Sequence, residues 1–121
     1  MSVSVDLQVF VRVGNDRALS RVVSRIRQAC PLELGDAVAE RYWKDPGLQD
    51  VRFAVAVPPG STADMVFEVL RAAWELGGPW GVSSIGQPDT PGWEFVAIAD
   101  RDSAGFGVPG MEWARISLLS G

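Results

Sequence analysis

The sequence predicts an α+β domain built on a largely antiparallel sheet with its helices packed on one face. Three observations lead there. Residues 3 to 13 alternate strictly, with Val3, Val5, Leu7, Val9, Val11 and Val13 at every odd position. Two segments, near 16–30 and 61–77, repeat apolar residues at helical spacing. The other strand-like runs are short and bounded by Gly- and Pro-rich turns. Period-two alternation gives a strand one buried face and one open face, whereas a parallel strand covered on both sides reads apolar throughout.

The elements follow in order. After the first strand, Gly14-Asn15-Asp16 is a turn, and Asn15 or Asp16 suits a helix N-cap. Leu19, Val22, Val23, Ile26, Ala29 and Cys30 then mark an amphipathic helix that Pro31 stops. Ala37 to Trp43 reads as a strand turned back by Lys44-Asp45-Pro46-Gly47, with a short helix starting at Asp36 as the other reading. Residues 51–57 form a strand with Val51, Phe53, Val55 and Val57 on one face, and Arg52, Ala54 and Ala56 on the other. Pro58-Pro59-Gly60 breaks the chain, and Ser61 with Asp64 resembles a capping box. Val66, Phe67, Leu70, Ala73, Trp74 and Gly77 are the expected core face of the second helix, ended by Gly77-Gly78-Pro79. Two strands complete the set, Glu94 to Ala99 and Glu112 to Leu119, with loops at 80–92 and 100–110.

Composition sets outer bounds. The 121 residues fit one domain, 1–121, large enough to bury a core without disulfide or metal. Cys30 is the lone cysteine, which fits a reducing compartment. The N-terminus reads as a strand and not as an export signal, and no apolar run approaches the ~20 residues of a membrane span. The expected location is the cytoplasm, with no membrane association. Net charge is −4 and histidine is absent, a poor balance for nucleic acid and a better one for a basic protein partner. Ten arginines against one lysine, Lys44, point to a GC-rich bacterial genome.

The first six elements spell βαββαβ, an order that resembles the ferredoxin-like fold over about residues 3 to 99. That resemblance implies a four- to five-stranded antiparallel sheet with two helices on one face. The other face is then the candidate working surface. Phe10 points toward it from the first strand. With Val96 and Ile98 read as core, Trp93, Phe95 and Ala97 point outward. With Ala114, Ile116 and Leu118 as core, so do Trp113, Arg115 and Ser117. The expected partner-binding set is Trp93, Phe95, Trp113 and Arg115, with acidic support from Glu94, Asp100 and Asp102. A covering loop, 80–92 or 100–110, is the alternative fate of this face, and a one-residue slip swaps the faces. The aromatic strand motifs of RNA-recognition domains are absent.

The remaining clusters carry less chemistry. Arg17, Arg21 and Arg25, with Arg27 nearby, form a cationic helix row that reads as a solvated face. Asp100 and Asp102 lack a third cation ligand, and Glu33, Asp36 and Glu40 read as surface. Without histidine there is no Ser-His or Cys-His pair, and Cys30 reads as a small core residue. Neither Gly77-Gly78-Pro79-Trp80-Gly81 nor Gly105-Phe106-Gly107 has the context of a phosphate loop. No catalytic residue, metal or cofactor is therefore expected.

In size, acidic charge, tryptophan content and lack of an evident catalytic group, the chain resembles the small immunity proteins that bacteria keep beside secreted toxins. The resemblance implies a protein that occludes a basic toxin domain. The other class is a dimeric ferredoxin-like enzyme or ligand-binding domain, similar to antibiotic-biosynthesis monooxygenases, in which two open sheet faces pack into a homodimer around a pocket.

Overall fold

The computed structural model describes residues 2–102 and 105–121. In chain order the elements are β1 (Val3–Arg12), α1 (Asp16–Ala29), β2 (Glu33–Leu34), β3 (Val38–Arg41), β4 (Leu48–Ala56) and α2 (Thr62–Leu76). After these come β5 (Gly77–Gly78), β6 (Gly81–Ile85), β7 (Glu94–Asp100), β8 (Gly105–Phe106) and β9 (Met111–Ser120). The main sheet has seven strands in the order β2-β4-β1-β9-β7-β6, with β3 also paired to β4. Every pairing is antiparallel. The five strands expected from sequence are all present. β2 and β6 extend the sheet beyond the four or five expected, and β6 lies in what reads as the 80–92 loop.

The alternation of β1 decides where the core sits. Val5, Leu7, Val9 and Val11 are buried, and the same cluster holds Val51 and Phe53 of β4 and Ala114, Ile116 and Leu118 of β9. Val22 and Ile26 of α1 and Val69, Ala72, Ala73 and Leu76 of α2 close over them. Both helices therefore cover one face of the sheet. Their ends are fixed locally. Asn15 accepts the amide of Ala18 at the start of α1, and Ser61 and Asp64 form a reciprocal capping box on α2. At the end of α2, Gly77 has φ 145°, and a Cβ there would lie 2.4 Å from the Gly105 carbonyl oxygen. That close approach pairs β5 with β8.

Two sequence expectations are corrected here. On β7, Phe95 pairs with Leu118, Ala97 with Ile116 and Ala99 with Ala114, so Phe95 and Ala97 face the helices. Val96 and Ile98 point to the other face, the reverse of the expected register. On α2, Ala73 is buried as expected, but Phe67, Leu70 and Trp74 are exposed, Trp74 by 72%. At ~100° per residue, Val69, Ala72, Ala73 and Leu76 fall on one arc and Ala63, Phe67, Leu70 and Trp74 on a separate one. Asp64, Glu68, Arg71 and Glu75 fill the third.

Candidate functional site

Sheet register assembles the open face row by row. One cross-strand row reads Glu40, Asp50, Phe10, Trp113, Asp100. The next reads Val38, Arg52, Gln8, Arg115, Ile98, Gly81. No helix covers these rows among the described residues.

The first row is built around an aromatic stack. Phe10 stacks on Trp113 with ring centroids 4.8 Å apart, and on Tyr42 at 4.7 Å. Tyr42 follows directly after β3 and leans over β4, where Leu48 is buried and its carbonyl accepts the Tyr42 amide at 2.9 Å. Offset-stacked rings of this kind add about 0.5–1.5 kcal/mol per pair beyond their burial. The stack thus holds three rings in place in a row flanked by Glu40, Asp50 and Asp100.

Charged groups frame the rings. Asp50, only 9% exposed, accepts from Gln8 Nε2 at 3.1 and 3.2 Å and from Arg52 at 3.2 Å. The hydrogen bond from Arg52 to Asp50 pushes the Arg52 pKa up. At the end of the face a β-bulge falls between Phe10 and Val11, where β1 skips Glu112. The extra residue reaches Arg12, which also donates to Asp45 at 2.8 Å. That bond, with the Gly47 amide, holds the Asp45 carboxyl below the usual carboxylate range and raises the Arg12 pKa. Arg115 lies 3.6 Å from Glu94. A shallow cavity of about 270 Å³ opens between Arg52 and Arg115, lined also by Asp6, Gln8 and Ser117. On or beside the face stand seven carboxylates (Asp6, Glu40, Asp45, Asp50, Glu94, Asp100 and Glu112) against the guanidinium groups of Arg12, Arg52 and Arg115.

The structure sorts the residues expected from sequence into two groups. Trp113, Arg115, Glu94 and Asp100 share the open face. Trp93 does not: it is 3% exposed and lies in the core beneath the Thr62–Leu70 stretch of α2. Phe95 packs beside it, ring centroids 6.4 Å apart, on the helix side. Both are corrected from surface to interior, because Ala97 and Ala99 mark the inward side of β7. Asp102 is exposed in the turn after β7. No cluster of metal-ligating side chains occurs among the described residues.

Sequence reading missed Tyr42, Asp50 and Gln8. Their signal was the even-residue face of β1, continued across β4 and β3 by register. Elsewhere, Arg17, Arg21 and Arg25 are exposed, whereas Arg27 bonds the carbonyls of Leu34 and Gly35 and lies over the Phe53 ring. Cys30 is buried, and burial pushes its thiol pKa up. No helix among the described residues is long and apolar enough to cross a membrane. In comparisons with known proteins the chain matches no family model, no curated protein and no solved structure.

Proposed function

We propose that this chain is a binding and inhibitory protein that uses its open sheet face to occlude a basic protein partner, in the manner of an immunity protein against a toxin domain. The observation that carries the reading is the Tyr42–Phe10–Trp113 stack flanked by Glu40, Asp50 and Asp100. Fixed aromatic rings are typical anchors of interface hot spots, because they bring large contact area at little entropic cost. The surrounding carboxylates favour encounter with a basic surface and set orientation. Such a protein works by covering its partner's site, and its own turnover plays no part.

The fold is read as ferredoxin-like with an insertion. β1, α1, β3, β4 and α2 supply the common order, β9 takes the place beside β1, and the β6–β7 hairpin is added outside it. On the open face, where the dimeric small-molecule alternative would place its pocket, the cavity lies between Arg52 and Arg115. At about 270 Å³ with a polar lining, it is smaller and more polar than the ~300–1,000 Å³ apolar pockets that hold such ligands.

The test is co-expression with the product of the gene adjacent to this one, scored by growth rescue and by calorimetric titration of the purified pair. Trp113→Ala should weaken binding by about thirtyfold or more, and affinity should fall as salt rises. The melting temperature should drop by only a few degrees, since the Phe10 stack is lost while the core remains. Undiminished binding by Trp113→Ala, with loss on Trp74→Ala instead, would move the site to the helix side.

A further inference from the structure

The two edges of the sheet differ in kind. The β2–β3 edge is guarded by Glu33, Asp36, Glu40 and Arg41, all exposed. The opposite edge is β6, Gly81-Val82-Ser83-Ser84-Ile85, in which every residue is exposed and none is charged. Natural edge strands avoid unwanted pairing with charges, prolines, bulges or a covering segment. β6 has no charge, no proline and no partner strand on its outer side among the described residues. On the helix side, the exposed arc of α2 borders the connection that follows β6. Ala63, Val66, Phe67 and Leu70 line an apolar groove closed by Pro88, Asp89 and Trp93 of the β6–β7 connection.

We propose that β6 is a self-association edge, joining two copies of this chain by antiparallel β6–β6 pairing across a two-fold axis at Ser83. The register argues for a second copy over an unrelated strand. Centred on Ser83, the pairing sets Ile85 of one copy opposite Gly81 of the other. Gly81 carries no side chain, and a Cβ there would meet only the Ile98 carbonyl oxygen at 3.8 Å. Ile98 is its β7 neighbour on the same face and is itself exposed. The Ile85 side chain therefore drops into the space over Gly81, against Ile98, twice per dimer. On the helix side Val82 falls opposite Ser84, and the α2 arcs of both copies lie on that same side.

The area is of the right order. Exposed fractions are 63% for Phe67, 72% for Trp74, 38% for Leu70, 56% for Val82, 67% for Ile85 and 42% for Ile98. Taking ~150–250 Å² for a whole aromatic side chain and somewhat less for an aliphatic one, these offer roughly 600 Å² of apolar surface per copy, about three quarters of the ~800 Å² per partner of a standard interface. The Tyr42–Phe10–Trp113 stacks of both copies remain free and point the same way, so each dimer would present two of the aromatic sites described above.

Sedimentation equilibrium of the full chain, from low micromolar to millimolar, tests the proposal. A dimer is expected, weakened about tenfold or more by Ile85→Lys and by Trp74→Glu and unchanged by Trp113→Ala. Register is tested in a Cys30→Ala background. Ser83→Cys should cross-link between copies on mild oxidation, because directly opposed residues lie ~4.5–5.5 Å apart. Ser84→Cys should not, because its two copies are offset past the ~7 Å limit of a disulfide. A monomer throughout the range overturns the proposal. So does a dimer that Trp113→Ala dissolves, or one that persists without the Ser83→Cys cross-link. Folding of each variant is checked by its far-ultraviolet spectrum, and the cross-linking pair stands in if a charged variant fails to fold.

Discussion

Trp93→Ala should be among the most damaging single changes in this chain. Trp93 is 3% exposed and sits in the same core cluster as Leu7, Val69 and Leu118. Removing a buried Trp side chain costs about 3–5 kcal/mol, from lost burial and from the cavity left behind. Against a typical total stability of ~5–15 kcal/mol that is a large share. At about 4 °C per kcal/mol for a domain of this size, the melting temperature should fall by roughly 12–20 °C. Thermal and urea denaturation followed by circular dichroism measure it directly. Trp93→Phe separates the causes. The Trp93 Nε1–H has no hydrogen-bond partner among the described residues, so Phe removes an unpaired donor while keeping most of the ring volume. Its cost should be about 1–2 kcal/mol at most. A drop of only a few degrees for Trp93→Ala would mean that Trp93 faces solvent. The inward register of Phe95, Ala97 and Ala99 would then be wrong as well.

Three further outcomes follow from local geometry. Asp45 has its folded-state pKa pulled below the ordinary 3.8 by Arg12. Its contribution should be complete above that value and vanish as pH falls through the lower folded one. Melting curves of wild type and Asp45→Asn should therefore converge in acid, and a gap independent of pH would refute the pairing. Cys30, with its thiol pKa raised by burial, should resist alkylation by iodoacetamide at neutral pH in the native protein and react on unfolding. Rapid native labelling would place it at the surface. Ser61→Ala removes one half of the capping box on α2 and should cost ~1 kcal/mol by urea titration, whereas no change would mean that Asp64 caps the helix alone.

What was legible in the sequence follows from how sharply each segment's pattern distinguishes two faces. β1 has valine or leucine at every odd position, so its inward side was plain, and the inward residues of β4 and β9 followed the same logic. β7 is different. Phe95, Val96, Ala97, Ile98 and Ala99 are all apolar, and with no polar residue to mark the outside, size was a poor guide. The two small alanines face the helices, where α2 packs close, and the larger Val96 and Ile98 face outward. α2 fails for a similar reason. Its apolar residues cover two of its three arcs, so the sequence could not tell the buried arc from the exposed one. β6 has neither alternation nor β-branched density enough to stand out from a loop. The Tyr42–Phe10–Trp113 stack was hidden because its rings come from three separate segments, and only register brings them together.

The pairing of β1 with β9 bears on how the chain acquires its structure during synthesis. Arg12 and Glu112, which meet at one end of that pairing, are 100 residues apart in sequence. At ~5–20 residues per second, β1 leaves the ribosome roughly 5–20 s before its central neighbour does. β4 arrives earlier and pairs along one side of β1, so a half-sheet forms while the other side of β1 stays unpaired. Contacts that span most of the chain also slow folding, since the loop must close before they form. The nascent protein thus spends seconds with its central strand open along one edge. During that interval α1 and β4 are at hand to cover it, through the core that Val22, Ile26, Val51 and Phe53 share with β1. The open face takes its final form only with the last strand, because Trp113 and Arg115 arrive on β9.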